Sequence, residues 1–364
     1  MHLSRLRVRH LRNLTEATLQ PGTRFNLIVG ANASGKTSLL EAIHLLGLGT
    51  SFRTHQISNV IQYDAASAVV HGVVEDGRGG SISLGVARHR NGSLQMRVQG
   101  KDVEKRAELT RQLPIMVLGA DAHSLVEGGP RERRRYVDWG VFHVEHGYLS
   151  QWRSVQRLLD QRNRALKQGC SERELDVWDR QLAESGEALT GTRLAYLEKL
   201  LAILDSIKAV LALEGLDVAV GFFRGWKKDQ SLLEMLRHSR ASDRSHGFTG
   251  SGPHRAELRL RVGKHPASEI LSRGQQKHLA YALRLAQGVL LAAETGRSPV
   301  VLVDDLGAEL DEARQESVLM ELEELGSQVF VTSLDESVRT RMSPTSVEPA
   351  VFHVEHGQVR RVIY

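Results

Sequence analysis

The stretch Gly30-Ala-Asn-Ala-Ser-Gly-Lys-Thr37 follows the apolar run Phe25–Val29 and precedes an amphipathic helical pattern. It fits G-x-x-x-x-G-K-S/T, and a strand before it and a helix after it are the context in which this pattern binds nucleotide phosphates. Glycine lets successive backbone N–H groups converge on phosphate oxygens, and the N-terminus of the helix adds its positive end. We therefore predict a nucleotide-binding loop rather than a simple glycine-rich turn. Its residues are Gly30, Ala31, Asn32, Ala33, Ser34, Gly35, Lys36, Thr37 and Ser38.

Two residues of this loop have specific expected roles. Lys36 is expected to place its ammonium beside the β- and γ-phosphates, and the Thr37 hydroxyl is expected to bind Mg²⁺. Position 33 is alanine, where such loops commonly carry glycine. We therefore expect binding to be retained with some backbone strain at Ala33.

A second motif, Val300-Val-Leu-Val-Asp-Asp305, has the pattern of a buried strand that ends in two acids. The carboxyl edge of a parallel sheet is where α/β proteins bind ligands. Two adjacent carboxylates near a buried strand need a compensating cation or proton. Asp304 is therefore predicted to bind Mg²⁺ together with Thr37, and Asp305 to orient or deprotonate an attacking water. Alternatively, the acids only cap the next helix. The predicted catalytic residues are Lys36, Asp304 and Asp305.

A third motif, Leu271-Ser-Arg-Gly-Gln-Gln276, precedes a helix with apolar residues on one face. Ser272 and Gln275 have the spacing of a capping box, so helix capping alone accounts for them. Alternatively, this second helix N-terminus offers N–H groups and a hydroxyl to a phosphate. If the two phosphate-binding devices cannot reach the same nucleotide, each completes the site of a second protomer. The residues concerned are Ser272, Arg273, Gly274 and Gln275.

Composition restricts the class of protein. The chain has 364 residues with ordinary globular composition and a single cysteine, Cys170, so it is not a disulfide-built secreted scaffold. Charged residues after Met1 do not fit a signal peptide, and no run approaches the roughly 18 apolar residues of a membrane span. We expect a cytoplasmic protein without a membrane partner. The net charge of +5 permits a polyanionic partner, and aromatic residues, at 5%, are too few for an extended base-stacking platform.

The order of patterns along the chain predicts an α/β fold. Strand patterns occupy residues 1–30, and short strands separated by turns over Ser67–Val103 predict an antiparallel meander attached to a parallel core. Helical patterns from Arg131 to about Leu213 are interrupted at Gly186 and Gly191, which predicts several packed helices. The polar stretch Arg237–Gly252 is interpreted as a linker. The predicted domains are 1–120, with the loop and the meander; 121–269, the helical arm; and 270–364, the rest of the core.

The segment Val-Phe-His-Val-Glu-His-Gly occurs twice, at 141–147 and at 351–357. Each copy contains His-x-x-His, which suggests zinc. The segment lacks the carboxylate placement of the zinc-hydrolase helix motif and has no cysteine. We therefore favour chance or structural use over metal binding.

The three motifs, in this order and with an interrupting helical region, resemble the ABC-type ATPase head of SMC proteins. Ser272–Gln275 stands where that superfamily carries its signature sequence, and Ala308–Asp311 where it carries the D-loop, which singles out Asp311. Across nearly the whole chain, the sequence further resembles the bacterial RecF recombination-mediator family. The segments that carry this resemblance are Leu11–Leu14, Ser51–Arg53, Gly129–Arg135, Asp138–Gly140, Gly252–Arg255 and Leu271–Gln275.

This resemblance implies an ABC-type P-loop ATPase head with an antiparallel β subdomain and an inserted helical arm. It also implies a cytosolic DNA-binding ATPase of replication-gap repair that uses ATP and Mg²⁺ and forms a homodimer with ATP. Such a protein favours duplex DNA beside single-stranded gaps and acts with RecO and RecR to load RecA. In this dimer, each protomer pairs its own phosphate loop with the Ser272 and Gly274 of the other.

Two departures from the ABC pattern bear on the reaction. No glutamine of the Q-loop can be placed near Val117–Asp121, and Thr332-Ser333 stands where many such ATPases have a switch histidine. We therefore expect a weak, DNA-dependent ATPase whose slow hydrolysis acts as a timing switch. The alternatives are an ATPase subunit of an ABC transporter and an ATP-binding scaffold without turnover.

Basic residues provide candidate DNA contacts. The cluster at 131–135 is the best local candidate, although a solvated helix face accounts for it equally well. Alternating arginines near the N-terminus add a basic stripe, and Arg53 serves either the nucleotide or the DNA. Such dispersed charge predicts salt-sensitive binding that is mostly indifferent to sequence. The cluster comprises Arg131, Arg133, Arg134 and Arg135, and the stripe comprises Arg5, Arg7, Arg9 and Arg12.

Overall fold

The computed structural model describes residues 1–76, 79–210, 217–306, 312–334, 336–342 and 348–362. The chain divides into two compact units. Unit 1 contains Met1–Ala122 and the described residues from Tyr281 onward. Unit 2 contains His123–Ala209 and the described residues between 217 and 280.

The described residues form fifteen strands: β1 His2–Leu11, β2 Leu14–Leu19, β3 Phe25–Val29, β4 Ser67–Glu75, β5 Ser81–His89, β6 Leu94–Val98, β7 Lys101–Asp102, β8 Ile115–Leu118, β9 Val218–Phe223, β10 Glu257–Val262, β11 His265–Pro266, β12 Val300–Val303, β13 Gln328–Ser333, β14 Ala350–Glu355 and β15 Gln358–Val362.

The α-helices among them are α1 Lys36–Leu48, α2 Arg106–Gln112, α3 Ser124–Glu127, α4 Pro130–Val144, α5 Tyr148–Lys167, α6 Glu172–Val210, α7 Leu232–His238, α8 Arg240–His246, α9 Ala267–Ile270, α10 Arg273–Thr295, α11 Glu312–Glu324 and α12 Ser337–Arg341.

The central sheet of unit 1 has the strand order β15-β14-β3-β13-β12-β8. The strands from β14 to β8 are parallel, and β15 is antiparallel at the edge. Strands β3, β12 and β13 are buried along their whole length, as expected for parallel strands covered on both faces. Because these strands run the same way, their carboxyl ends lie at one edge of the sheet, which brings together the segments that follow them.

The second sheet of unit 1 is antiparallel, with the order β2-β1-β4-β5-β6-β7. Its inner face shares one hydrophobic core with α1, in which Leu6, Val8 and Val70 are buried with Leu40. Its outer face carries exposed side chains that alternate with these along each strand. The predicted α/β core with an attached antiparallel meander is therefore confirmed.

Unit 2 combines helices with a three-stranded antiparallel sheet, in the order β11-β10-β9. This sheet was not predicted, although residues 257–262 alternate between polar and apolar types. The packed helices that it predicted are present as α4, α5 and α6. The predicted interruptions at Gly186 and Gly191 are both wrong, because α6 continues through them. A side chain at Gly186 would approach Leu232 to 2.7 Å and Pro253 to 3.3 Å, so this glycine allows close packing of the helix.

The interpretation of Arg237–Gly252 as a linker is also wrong. This stretch contains the end of α7 and the whole of α8, and its Asp243 is buried. Asp243 accepts a hydrogen bond of 2.7 Å from Arg162, which is completely buried and also binds Asp179 at 2.6 Å. Asp243 belongs to a buried ion network that joins α5, α6 and α8, while most of the other polar residues of the stretch are exposed or partly exposed. Among the residues described above, no helix is both long enough and apolar enough to cross a membrane.

This network leads to a stability prediction. Arg162→Met leaves the buried Asp243 without the arginine that pairs with it and leaves Asp179 with Arg240 alone, which lowers the free energy of unfolding by about 3–5 kcal/mol. Urea unfolding followed by circular dichroism measures the loss. Arg180→Met is the control, because Arg180 is exposed and pairs with Asp176 within one helix, so its loss costs about 0.5 kcal/mol. Equal unfolding midpoints for the two variants would contradict a structural role for the network.

Candidate nucleotide-binding site

The predicted phosphate loop joins β3 to α1 at the carboxyl edge of the central sheet. Lys36 begins α1, and its ammonium donates to the carbonyl oxygens of Gly30 at 2.6 Å and Ala31 at 2.9 Å. Burial lowers the pKa of Lys36, and the carboxylates of Asp305 and Asp304 oppose that effect. Ala33 has a φ of 61°, in the left-handed region, so the strain expected for a non-glycine residue there is present.

The two acids after β12 lie next to this loop. The Thr37 hydroxyl donates to Asp304 Oδ1 at 3.0 Å, and the Thr332 hydroxyl donates to the same oxygen at 2.9 Å. Thr332 Oγ1 also accepts from the backbone N–H of Asp305 at 2.8 Å. The end of β13 therefore fixes both acids relative to the loop. From the sequence, Thr332 is recognisable only as the residue at the position of a switch histidine, and this positioning role is not visible.

The predicted Mg²⁺ ligands, Thr37 and Asp304, thus have their oxygens within 3.0 Å of each other. A hydroxyl and a carboxylate are the hard oxygen ligands that Mg²⁺ takes from P-loop proteins, with substrate phosphates supplying others. Both side chains are partly exposed, and Asp305 beside them is exposed. The residues present therefore fit a Mg²⁺ ion that accompanies a bound nucleotide.

The outer side of the loop is braced by two turns that are distant in sequence. From the β1–β2 turn, Asn13 donates to the Ala33 carbonyl oxygen at 3.1 Å and accepts from the Ser38 hydroxyl at 2.9 Å. From the β14–β15 turn, the N–H of Gly357 donates to the Ser34 carbonyl oxygen at 2.9 Å. These contacts fix the middle of the loop at Ala33 and Ser34 and the start of α1 at Ser38.

The second copy of the repeated heptapeptide forms the β14–β15 brace. His356 and Gly357 have φ values of 47° and 78°, the positive values of a type I′ hairpin turn. A Cβ atom at Gly357 would lie 2.3 Å from the Asn13 carbonyl oxygen, and one at Gly30 would lie 2.2 Å from the Val354 carbonyl oxygen. The repeat signals this segment in the sequence, but its contact with the phosphate loop is visible only in the fold. Throughout the described ranges, no three His, Cys, Asp or Glu side chains are grouped to hold a metal ion.

A buried carboxylate on α1 organises the neighbouring arginines. Glu41 is completely buried, and Arg12 binds it through two hydrogen bonds of 2.8 and 2.9 Å. Arg53 lies 3.6 Å from the same carboxylate, and the Ser51 hydroxyl donates to it. Arg12 therefore does not belong to the exposed basic stripe, and Arg53 is anchored to the helix that follows the phosphate loop.

The signature motif forms the capping box that its sequence indicated. The Ser272 hydroxyl accepts from the Gln275 N–H at 3.3 Å, and the Gln275 side chain accepts from the Ser272 N–H at 2.9 Å. Ser272, Arg273 and Gly274 are exposed, so this helix N-terminus is open to another molecule. The capping and phosphate-binding interpretations are therefore compatible. Asp311, the predicted D-loop residue, lies outside the described residues.

Several arginines predicted to contact DNA make intramolecular contacts instead. Arg133 binds Glu257 at 2.5 Å, with both side chains largely buried, and Arg134 donates to the Ala256 carbonyl oxygen at 2.9 Å. Arg135 pairs with Glu132 one turn earlier on α4. Arg131 is exposed. Arg133 and Arg134 therefore help to hold α4 against the β10 segment within unit 2, and DNA contact by the cluster stays a prediction.

Comparison with known proteins identifies the class of this fold and site. The family model described as RecF/RecN/SMC N terminal domain matches residues 2–359. The crystal structure of an Smc head bound to the C-winged helix domain of ScpA shares the fold, with 17% identity, a TM-score of 0.60, and coverage of 100% of this chain and 97% of that one.

The relatives narrow the class further. The DNA replication and repair protein RecF of Stutzerimonas stutzeri is 44% identical, over 100% of this chain and 98% of that protein. The RecF of Pseudomonas fluorescens Pf-5 is 43% identical, over 99% and 98%. A solved structure of the recombination mediator protein RecF with ATP has 27% identity and a TM-score of 0.87, covering 100% of this chain and 98% of that one. The chain belongs to the RecF family.

The brace predicts that Gly357→Ala weakens nucleotide binding about tenfold, or about 1.4 kcal/mol. An alanine there has an unfavourable φ and displaces Asn13 from the loop. Titration with a fluorescent nucleoside triphosphate measures the affinity. Gly147→Ala is the matched control from the first copy of the repeat, where φ is −81° and no atom lies within 4 Å of an added Cβ. If both variants bind like the wild type, the second copy does not support the loop.

Proposed function

We propose that this chain is a cytoplasmic, ATP-dependent DNA-binding protein that acts in recombinational repair at replication gaps. The observation that carries the proposal is the Thr37–Asp304 hydrogen bond of 3.0 Å at the start of a lysine-bearing phosphate loop. It supports binding of ATP with Mg²⁺, because the hydroxyl and the carboxylate are already together where the metal would lie. The ATP-bound RecF structure and the repair function in the names of the relatives point the same way.

In this proposal, ATP joins two protomers. Each protomer holds the nucleotide with Lys36, Thr37 and Asp304, and the partner's Ser272 and Gly274 complete the site. The exposed N-terminus of α10 supports this arrangement, since its N–H groups and positive end favour the terminal phosphate. ADP lacks that phosphate and leaves monomers. Asp311, as the D-loop residue, is assigned to the same interface.

The proposed hydrolysis is slow and times the release of DNA. Asp305 is exposed at the end of β12, where it orients or deprotonates the water. Thr332 takes the place of a switch histidine, and its hydroxyl is already used by Asp304 and Asp305. A threonine cannot serve as a proton-accepting sensor near neutral pH, which is consistent with weak turnover.

The outer face of the antiparallel sheet is the proposed DNA surface of unit 1. Arg5 and Arg7 are exposed on β1 between the buried Leu3, Leu6 and Val8, and neither forms an ion pair with any described carboxylate. On β4, His71 lies opposite Arg7, and burial together with the charges of Arg7 and Arg5 lowers its pKa. This positive face suits the backbone of duplex DNA beside a gap, and RecO, RecR and RecA are the partners proposed from the family.

The test is sedimentation with ATP, with ADP and without nucleotide, in the presence and absence of gapped duplex. We expect a dimer with ATP and Mg²⁺ and monomers otherwise. A monomer under saturating ATP with gapped duplex present would overturn the proposed dimer. Measuring phosphate release with and without DNA distinguishes an ATP-hydrolysing switch from a scaffold that binds ATP but never hydrolyses it.

Ser272→Arg separates dimerisation from nucleotide binding. The arginine fills the exposed helix N-terminus, so the variant is expected to bind ATP normally. It is expected to remain monomeric at ten times the concentration at which the wild type dimerises, which corresponds to a loss of about 1.4 kcal/mol in the free energy of dimerisation. Ser231→Arg is the matched control, because Ser231 forms the same kind of capping box at the start of α7. Loss of the dimer in both variants would attribute the effect to capping, and loss in neither would remove Ser272 from the shared site.

Thr332→Val tests the support of the metal site. Removing the hydroxyl leaves the Asp305 N–H without its acceptor and Asp304 with one donor fewer. Leaving a polar group without its hydrogen bond costs about 1–3 kcal/mol of folding free energy. We expect calorimetry to show at least about fivefold weaker binding of ATP with Mg²⁺ and little change with EDTA. Thr332→Ser retains the hydroxyl and should behave like the wild type. An equal loss in Mg²⁺ and in EDTA would place the effect in the loop instead of at the metal.

A further inference from the structure

The three-stranded sheet of unit 2 exposes a second basic face. Along β10, Leu258 and Leu260 are buried, whereas Arg259 and Arg261 are exposed. The antiparallel register places Gly221 opposite Arg259, and Ala219 opposite Arg261. The exposed surface of this sheet therefore has two long cations above small neighbours. We call it the β9–β10 face, formed by Ala219, Gly221, Phe223, Glu257, Arg259 and Arg261.

The charges of the two arginines on this face are not neutralised by the part of the chain that the structure describes. Neither Arg259 nor Arg261 forms an ion pair with a carboxylate of the described residues. The acid on the same face, Glu257, is already bound to Arg133 at 2.5 Å. The Arg259 guanidinium lies over the Phe223 ring, 4.6 Å from its centre, which supports the side chain without cancelling its charge.

Further cations flank the face. Lys264 and His265 are exposed at the β10–β11 turn, and Lys227 and Lys228 are exposed after β9. The carbonyl oxygens of both lysines accept hydrogen bonds of 2.7 Å from Arg224, so the backbone that carries them is held in place. The exposed acids nearby in sequence are Asp217 just before β9, Asp229 six residues after it, and Glu269 in α9, and none of these three is among the six residues that form the face.

We propose that the β9–β10 face binds the phosphate backbone of nucleic acid. Residues two apart on a strand are separated by about 6.8 Å, which equals the axial rise of about two nucleotides of one DNA strand. Small side chains at Ala219 and Gly221 let a backbone approach closely. A protein interface typically has apolar anchors at its centre, and this face has none beyond the ring that Arg259 covers. The inference rests on the proposed DNA binding and adds a surface in unit 2 to it.

The double variant Arg259→Gln/Arg261→Gln tests this assignment with duplex and gapped DNA over a series of salt concentrations. Each lost phosphate contact removes about 0.9 from the slope of log K against log salt, so the slope should fall by about 1.8. We expect affinity to fall about tenfold or more at physiological salt, for all sequences alike, and ATP binding to be unchanged. Arg259→Lys/Arg261→Lys keeps both charges and should restore the slope.

The control for net charge is Arg180→Gln/Arg237→Gln, which removes two exposed arginines that both pair with Asp176 and lie outside the two proposed DNA faces. If this control loses as much affinity as the test variant, the effect is one of total charge and the proposal is wrong. The proposal is also wrong if the test variant binds DNA like the wild type. If that variant binds DNA normally but loses affinity for polyglutamate, the face binds an acidic protein. Wild-type protein that binds no DNA would refute the proposed function itself.

Discussion

The hydrogen bond between the Thr37 hydroxyl and the Asp304 carboxylate joins residues 267 positions apart and depends on the parallel order of the central sheet. Strands β3 and β12 are not neighbours, because β13 lies between them. Thr332, at the end of β13, donates to the same carboxylate oxygen and so connects the intervening strand to Asp304. A change in the order or direction of any of these strands would separate the loop from its acids. The candidate site is therefore a property of the sheet as much as of its motifs.

The phosphate loop also depends on structure outside its own sequence. Ala33 has a left-handed backbone conformation that costs roughly 1–2 kcal/mol for a residue with a Cβ atom. Asn13 binds the carbonyl oxygen of this same residue, and Gly357 binds that of the next one. These hydrogen bonds offset the strain in the folded state and fix the direction of the loop. An alanine at position 33 is acceptable because two remote turns restrain the loop around it.

Local patterns were sufficient to predict the loop, the acid-ended strand and the capping box, because each depends on residues within about ten positions. The predictions that failed depend on distant partners. Gly186 lies inside a continuous helix, and its lack of a side chain is explained by Leu232 and Pro253, which occupy the space where a side chain would lie. Asp243 and Thr249 are polar and buried because they bind the buried Arg162, whereas most of the stretch around them is exposed or partly exposed. The bracing role of Gly357 is visible only when β14 lies beside β3, a pairing over more than 300 residues.

The basic residues show why their number and clustering are weak guides to a polyanion surface. On α4, arginines at consecutive positions point in several directions, so Arg133 and Arg134 meet acceptors of their own unit. A guanidinium already bound to Glu257 gains little from a phosphate, since its charge is compensated and its hydrogen-bond donors are occupied. On a strand with one buried face, alternation places every second residue outward. Arg5 and Arg7, and likewise Arg259 and Arg261, are therefore in contact with solvent, and none of them pairs with a carboxylate of the described residues. Period-two spacing of arginine within a strand thus places the side chains in solvent, but a neighbouring acid still decides whether the charge is available, because Arg9 on β1 pairs with Glu16.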